Sequence, residues 1–160
     1  MSDVDQDSFR QAAGQFAGGI VVVTTSAGHA MTVSAFTSVS LEPPLVLFGV
    51  EKTARCHDAV LAAGSWAVSV LAEDAEKTAR WLATGARPLD GVAHYPGPVT
   101  GAPLLDGALA TLECQTTAVH DGGDHSIVIG QVVAVAAPAS SSGAGPLVHY
   151  AGDYRRLPRR

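Results

Sequence analysis

The sequence has little charge for its length. Only 16% of its 160 residues are Asp, Glu, Lys or Arg, whereas about 25% is usual for globular domains. Charged side chains are the ones most reliably kept at the surface, so this deficit indicates that apolar surface faces another subunit or a flat ligand. The length suits one domain that buries a core without disulfide or metal staples. We therefore expect a single domain over residues 1–160 that forms a homodimer.

The small numbers of basic residues and cysteines and the lack of long apolar runs exclude several classes of protein. The 10 basic residues are outnumbered by 15 acidic ones, which is the wrong balance for a general nucleic-acid binder. The two cysteines, Cys56 and Cys114, form no CxxC pair, so neither a disulfide framework nor a cysteine-rich zinc site is expected. The longest apolar runs fall well short of the ~20 residues that cross a bilayer, and the acidic start is unlike a secretory signal. We expect a cytoplasmic protein that binds neither nucleic acid nor membrane.

Common catalytic motifs are also missing. The chain contains no GxGxxG, no P-loop, no HExxH and no GxSxG, which argues against Rossmann, NTPase, zinc-peptidase and serine-hydrolase sites. His120 and His125 flank Asp121 and Asp124 in a glycine-rich turn. This arrangement is either a metal site or an ordinary turn, in which Asp and Gly supply local bonding and positive φ. We favour the turn, and predict no metal site and no covalent nucleophile.

What the chain does contain is a series of β-branched runs bounded by glycine and proline. A first amphipathic helix is predicted behind Asp7 or Ser8 as N-cap. The glycine- and proline-rich stretch 84–107 is predicted to be a long loop beside the functional site. The predicted helices are 8–17, 54–63 and about 73–83. The predicted strands are 20–25, 30–39, 45–50, 66–71, 108–119, 126–137 and 147–150.

This order of elements predicts a mainly β fold. The links between the first three strands are too short for parallel crossovers, so antiparallel pairing is favoured. Strands 108–119 and 126–137 are predicted to form a long hairpin around HDGGDH. About six strands with short flanking helices describe a small antiparallel Greek-key barrel. A doubly wound α/β fold is disfavoured, because no helices separate the first three strands.

Two neighbouring segments carry candidate binding chemistry. The run Thr32–Ser40 places hydroxyls on both faces of a strand, where one face would normally be apolar. These hydroxyls either meet a polar ligand or bond the neighbouring backbone. Lys52, Thr53, Ala54 and Arg55 then follow the third strand and open a predicted helix. Two cations, a hydroxyl and free amides suit a phosphate monoester, although a solvated helix start has the same composition.

Several segments together resemble the short-chain flavin reductase family. They are FRQAAGQFAGGIVVVTT, MTVSAFTSVSLEPPLVLFGV, GAPLLDGALATLEC, GGDHSIVIGQV and PLVHYAGDYRRL, and the resemblance runs from about Phe9 to Leu157. It implies a split β-barrel, an intimate homodimer, FMN or FAD held by the barrel, and NADH or NADPH as hydride donor. It also implies a partner monooxygenase that uses the reduced flavin.

The same resemblance implies roles for individual residues. Those matching the family's flavin-lining strand are Thr32, Ser34, Ala35 and Phe36, and those matching its phosphate loop are Lys52, Thr53, Ala54 and Arg55. Arg87 corresponds to an arginine that reaches the flavin. His125 corresponds to a histidine near the nicotinamide, and Tyr154 to a residue that closes the nicotinamide side. The family's serine and threonine around the phosphate loop are Ala54 and Cys56 here, so the phosphate is expected to rest more on Lys52, Thr53, Arg55 and backbone amides.

These roles suggest how hydride transfer would be assisted. Backbone amides near Ser34 and Ala35 would stabilise charge on the flavin, while His125 would orient the nicotinamide unless it is only a turn residue. A flavin-binding module without turnover stays open as an alternative, as does a flavin-dependent oxidase or hydroxylase with an altered loop at Pro88. The arginines Arg155, Arg156, Arg159 and Arg160 are expected to form a solvated tail.

Overall fold

The computed structural model describes residues 3–84, 89–137 and 143–158. Within these ranges it contains three short helices and twelve strands. The helices are α1 (Gln6–Ala13), α2 (His57–Ala63) and α3 (Glu76–Ala83). The strands are β1 (Gly18–Gly19), β2 (Val21–Thr24), β3 (Ala30–Val33), β4 (Phe36–Leu41), β5 (Pro44–Glu51), β6 (Ser65–Val70), β7 (His94–Pro96), β8 (Pro103–Leu105), β9 (Ala110–Gly122), β10 (His125–Ala136), β11 (Leu147–Tyr150) and β12 (Asp153–Arg156).

Seven strands form the main sheet, in the order β3-β2-β6-β9-β10-β5-β4. Every pairing in it is antiparallel, and several neighbours are distant in sequence, as in a Greek key. The β9–β10 hairpin was predicted and is confirmed. A three-stranded sheet β1-β11-β12 and the β7–β8 hairpin flank the main sheet. The predicted mainly β, antiparallel fold with few helices is therefore confirmed.

The main sheet curls until its two edge strands approach each other. Strands β3 and β4 lie at opposite edges, yet only Ser34 and Ala35 separate them in sequence. Three Cα–Cα steps join Val33 to Phe36 and span at most about 11 Å, so the two edges lie close together at this point, which we call the seam. Across the described residues no ladder joins β3 to β4, so the sheet is not closed into a barrel at this point. The prediction of one strand over 30–39 is wrong, because the chain leaves one edge and enters the other at the seam.

Other sequence-based boundaries also need correction. Helix α1 begins at Gln6, because the Asp5 side chain accepts hydrogen bonds from the amides of Asp7 and Ser8 and is the N-cap. Helix α2 begins at His57 rather than at residue 54, so residues 52–56 form turns. Helix α3 begins at Glu76 rather than near residue 73.

Two regions predicted to be irregular contain strands. Stretch 84–107 includes the β7–β8 hairpin. The turn of this hairpin is hydrogen-bonded to the buried Glu113. That carboxylate accepts hydrogen bonds from the Val99 amide (3.0 Å) and from the amide and hydroxyl of Thr100 (2.6 and 2.8 Å). Arg155 and Arg156 belong to β12 rather than to a tail, because β12 pairs with β11. Arg159 and Arg160 lie outside the described residues.

The core inside the curled sheet is built around Trp66. Its indole packs edge-on against Phe48 with ring centroids 4.7 Å apart, and both residues are fully buried. The indole NH donates a hydrogen bond to the Thr116 hydroxyl (3.0 Å), which satisfies its only polar group. No helix among the described residues is long and apolar enough to cross a membrane.

Candidate active site

A cleft of about 690 Å³ opens at the seam. One wall comes from β3 and the seam, the facing wall from the end of β5 and the following turns, and a third from the end of α3. The lining residues are His29, Ala30, Met31, Thr32, Val33, Ser34, Ala35, Gly49, Val50, Glu51, Thr53, Ala54, Arg55, Cys56, Leu82, Ala83, Thr84 and His125.

Most of the site residues expected from the sequence meet in this cleft. The lining includes seven of them: Thr32, Ser34, Ala35, Thr53, Ala54, Arg55 and His125. Phe36 packs instead against the core, Lys52 does not line the cleft, and Arg87 lies outside the described residues. The roles assigned to all of these residues stay predictions.

Tyr154 also lies away from the cleft lining. Its ring packs beneath the Arg80 guanidinium, 4.7 Å from the ring centre, and meets the His149 ring edge-on at 5.9 Å. Arg80 is held in turn by Glu76 and Asp153. Within one chain Tyr154 therefore fastens α3 to β12, and its expected place at the nicotinamide stays a prediction.

The β3 wall uses one hydroxyl for the fold and leaves backbone donors for a ligand. Thr32 Oγ1 donates to the Ala79 carbonyl (2.6 Å), which attaches α3 to β3. At the seam, the Gly49 amide donates to the Ala35 carbonyl (2.9 Å). Among the described residues, the amides of Ser34 and Ala35 have no backbone partner, and both residues are exposed. This edge can donate two hydrogen bonds to an acceptor in the cleft.

The turns after β5 present one cation to the cleft. The Lys52 ammonium is paired with Asp121, and this hydrogen bond lowers the pKa of the Asp121 carboxyl. The Thr53 hydroxyl donates to Glu51 (2.8 Å). Arg55 lines the cleft, and no described residue forms an ion pair with it. Of the two cations expected to bind a phosphate, Arg55 is the one available.

His125 lies at the β10 end of the cleft with one ring nitrogen engaged. Nδ1 lies 2.7 Å from Asp124 Oδ1, and the hydrogen bond to His125 lowers the pKa of the Asp124 carboxyl. An ionised carboxylate only accepts hydrogen bonds, so Nδ1 carries the proton. This arrangement orients the ring and leaves Nε2 for a ligand.

Several other residues had no role assigned to them from the sequence. Cys56 Sγ lies 3.1 Å from Met31 Sδ, and burial raises the pKa of the Cys56 thiol. Burial raises the pKa of Cys114 to about 12, so both thiols stay protonated at neutral pH. His57 bonds Ser126 Oγ (2.9 Å), a partner 69 residues away that no local pattern could indicate. The presence of His29 and Leu82 follows only from how α3 and β3 pack.

Comparison with known proteins agrees with this geometry. The model of the flavin reductase-like domain family matches residues 13–158. An NADH-dependent flavin reductase of a Rhodococcus species is 38% identical over 159 residues, covering 92% of this chain and 84% of the relative. The reductase component of a Thermus thermophilus 4-hydroxyphenylacetate 3-monooxygenase is 38% identical and covers 95% and 97% of the two chains. The solved Streptomyces globisporus NADH:FAD oxidoreductase SgcE6, in complex with NAD and FAD fragments, superposes with a TM-score of 0.89 at 38% identity, covering 99% of this chain and 98% of that one. The chain therefore belongs to the flavin reductase-like family.

Proposed function

We propose that this protein is an NADH-dependent flavin reductase, which moves a hydride from NADH to FMN or FAD. The observation that carries this proposal is the cleft at the seam. There the amides of Ser34 and Ala35, which have no backbone partner among the described residues, face a turn that bears Arg55, which pairs with no described acidic residue. The family membership and the full-length similarity to an NADH:FAD oxidoreductase support it.

The residues of the cleft fit a flavin in size and chemistry. A volume of about 690 Å³ falls in the range of small-molecule sites, about 300–1,000 Å³. The aliphatic side chains of Ala30, Met31, Val33 and Val50 along its walls suit the flat ring system. Arg55 and the Thr53 backbone suit the phosphate of the ribityl chain.

A bound flavin supplies the hydride acceptor, and the chain supplies position. The amides of Ser34 and Ala35, which have no backbone partner in the described part of the chain, can donate to the oxygen-rich edge of the ring and stabilise negative charge there. His125, with its ring held by Asp124, can orient a nicotinamide through Nε2. The seam amides and His125 would then contribute to catalysis mainly by holding the two reactants in position.

The product of the reaction is expected to serve a second enzyme. Two-component systems recur among the relatives, including the Thermus reductase component and the reductase of a bacterial tryptophan halogenase, BorF, which is 41% identical with a TM-score of 0.88. We infer that the reduced flavin passes to a partner monooxygenase. A cytoplasmic location stays a prediction from the sequence.

A single assay tests the proposed activity. The purified protein is mixed with NADH and catalytic FMN, FAD or riboflavin, and absorbance at 340 nm is followed, with NADPH as the matched alternative donor. We expect rapid oxidation of NADH that depends on added flavin. A tightly bound flavin without turnover would indicate a binding module instead. Turnover that needs an added organic substrate would indicate an oxidase or hydroxylase.

The apolar surface supports the expected homodimer. Several large apolar side chains are exposed, among them Phe16, Leu41 and Val135. Leu41 is 94% exposed and Val135 is 73% exposed. Both lie at one end of the main sheet, since Leu41 pairs with Pro44 and β10 continues past its Leu45 partner to Val135. This end of the sheet is our candidate for the dimer interface.

A charge placed at this end should separate the protomers. We expect sedimentation of the wild-type protein to give a dimer, and Leu41→Lys to give a folded monomer or a dimer that dissociates at least tenfold more readily. Val99→Lys is the matched control, because Val99 is also exposed but lies in the β7–β8 turn. A wild-type monomer at micromolar concentration would contradict the homodimer, and equal dissociation of the two variants would move the interface elsewhere.

A further inference from the structure

His57 is a nearly buried histidine that the proposed site does not use. Its side chain is only 12% exposed. Ring atom Nε2 lies 2.9 Å from the hydroxyl of Ser126, a buried residue of β10, and Nδ1 lies 2.8 Å from the carboxylate of Asp58. The Asp58 side chain is fully exposed, so that contact is screened by solvent. The hydrogen bond between His57 and the buried Ser126 is therefore expected to stabilise the structure more.

This bond fixes one end of the turns that follow β5. At their start, the Lys52 amide donates to the Asp124 carbonyl (2.9 Å). At their finish, His57 is held by Ser126. The two anchors on β10 and its turn, Asp124 and Ser126, are the immediate neighbours of His125. Turns 52–56 are therefore hydrogen-bonded to the residues on both sides of His125.

The bond does not depend on the charge of the ring. The Asp58 carboxylate only accepts hydrogen bonds, so Nδ1 carries a proton in the neutral ring, and Nε2 accepts a hydrogen bond from the Ser126 hydroxyl. In the protonated ring Nε2 donates to the same oxygen. The anchor persists in both states, which suits a fixed support better than a pH switch.

We propose that His57 is a positioning residue that holds turns 52–56 against β10 and thereby sets the affinity for the flavin phosphate. This inference rests on the proposed function. Arg55 and the backbone of Thr53 have to meet phosphate oxygens at hydrogen-bond distance, which tolerates little displacement. Without the anchor the turns keep their Lys52 end and the contact of Cys56 with Met31 but lose their hydrogen bond to β10, and the phosphate contacts weaken. Residues of β3 and the seam, which would hold the ring system, are affected far less.

The test compares two flavins that differ only in the phosphate. Dissociation constants of FMN and riboflavin are measured by quenching of flavin fluorescence without NADH. For His57→Ala we expect the FMN constant to rise about tenfold, the effect of losing one good hydrogen bond, and the riboflavin constant to change less than twofold. His57→Gln should restore most of the FMN affinity, because its amide reaches the position of Nε2.

Three further variants test whether the His57–Ser126 hydrogen bond is responsible for this effect. Ser126→Ala removes the same bond with a minimal change in volume and should reproduce the selective loss, and the double variant His57→Ala/Ser126→Ala should lose no more than either single one. Asp58→Ala should behave like the wild type. If the dissociation constants of FMN and riboflavin rise equally in both single variants, His57 has only a folding role and the inference is wrong. Unchanged FMN affinity would also overturn it. Failure of wild-type protein to oxidise NADH with any flavin would instead refute the proposed function.

Discussion

Replacing His125 with alanine is expected to lower kcat/KM for NADH about 100-fold, the scale of loss when a reacting group is misplaced by about 1 Å. The ring lies at the cleft with Nδ1 held by Asp124, so its removal takes away the group that orients the nicotinamide. The FMN dissociation constant should change less than twofold. Steady-state rates at 340 nm and a fluorescence titration measure the two quantities.

His120→Ala is the matched control for this variant. His120 is an exposed histidine across the same turn, and it does not line the cleft. We expect its kinetics to equal those of the wild type. If the two variants behave alike, His125 is a turn residue, and an equal loss of FMN affinity would assign it to the flavin instead.

Gly130→Ala is expected to destabilise the fold by about 3 kcal/mol, at the upper end of the usual cost of overpacking. A Cβ atom at this position would lie 2.3 Å from Cζ2 of Trp66 and 3.1 Å from two more indole atoms. The indole cannot yield, because it is fully buried against Phe48 and hydrogen-bonded to Thr116. For a chain of this length the melting temperature should fall by about 6–12 °C, measured by circular dichroism.

Gly49→Ala provides the comparison. Gly49 lies on the adjacent strand β5, where a Cβ would meet its nearest atom at 3.4 Å, an ordinary contact. We expect a fall of less than 3 °C. In the variant Gly130→Ala/Trp66→Phe the smaller ring should recover part of the loss, since the two positions are coupled. Equal melting temperatures for the two alanine variants would show that the Trp66 contact is not restrictive.

Local sequence patterns predicted the long strands well, because β-branched runs between turn residues determine them. Val21–Thr24 and the β9–β10 hairpin carry that pattern clearly. The seam was harder. Residues 30–39 form one continuous run of strand formers, and the hydroxyls on both of its faces were attributed to a ligand or to backbone bonding, not to a break in the strand. The break arises because two edges of a curled sheet meet there, which is a property of the whole sheet.

For the candidate site, too, local segments could be predicted from the sequence, whereas contacts between distant residues could not. Ser34, Arg55 and His125 could be named in advance, because resemblance to a family identifies short segments. The pairing of Lys52 with Asp121 and the anchoring of His57 by Ser126 could not, since each joins residues 69 positions apart. Strands β7, β8 and β12 were not predicted, because each has only three or four residues. The glycine, proline and arginine in and around them are more typical of loops and tails.

The seam has a consequence for how long the protein survives between catalytic cycles. Across the described residues no ladder joins the edge strands β3 and β4, and a molecule bound in the cleft would add contacts along β3 and the seam. Ligand that binds only the folded chain adds to its stability by mass action, about 2.7 kcal/mol at 100 times the dissociation constant. Under the proposed function, the protein is least stable just after it releases its product. Its resistance to proteolysis should then increase with the concentration of flavin.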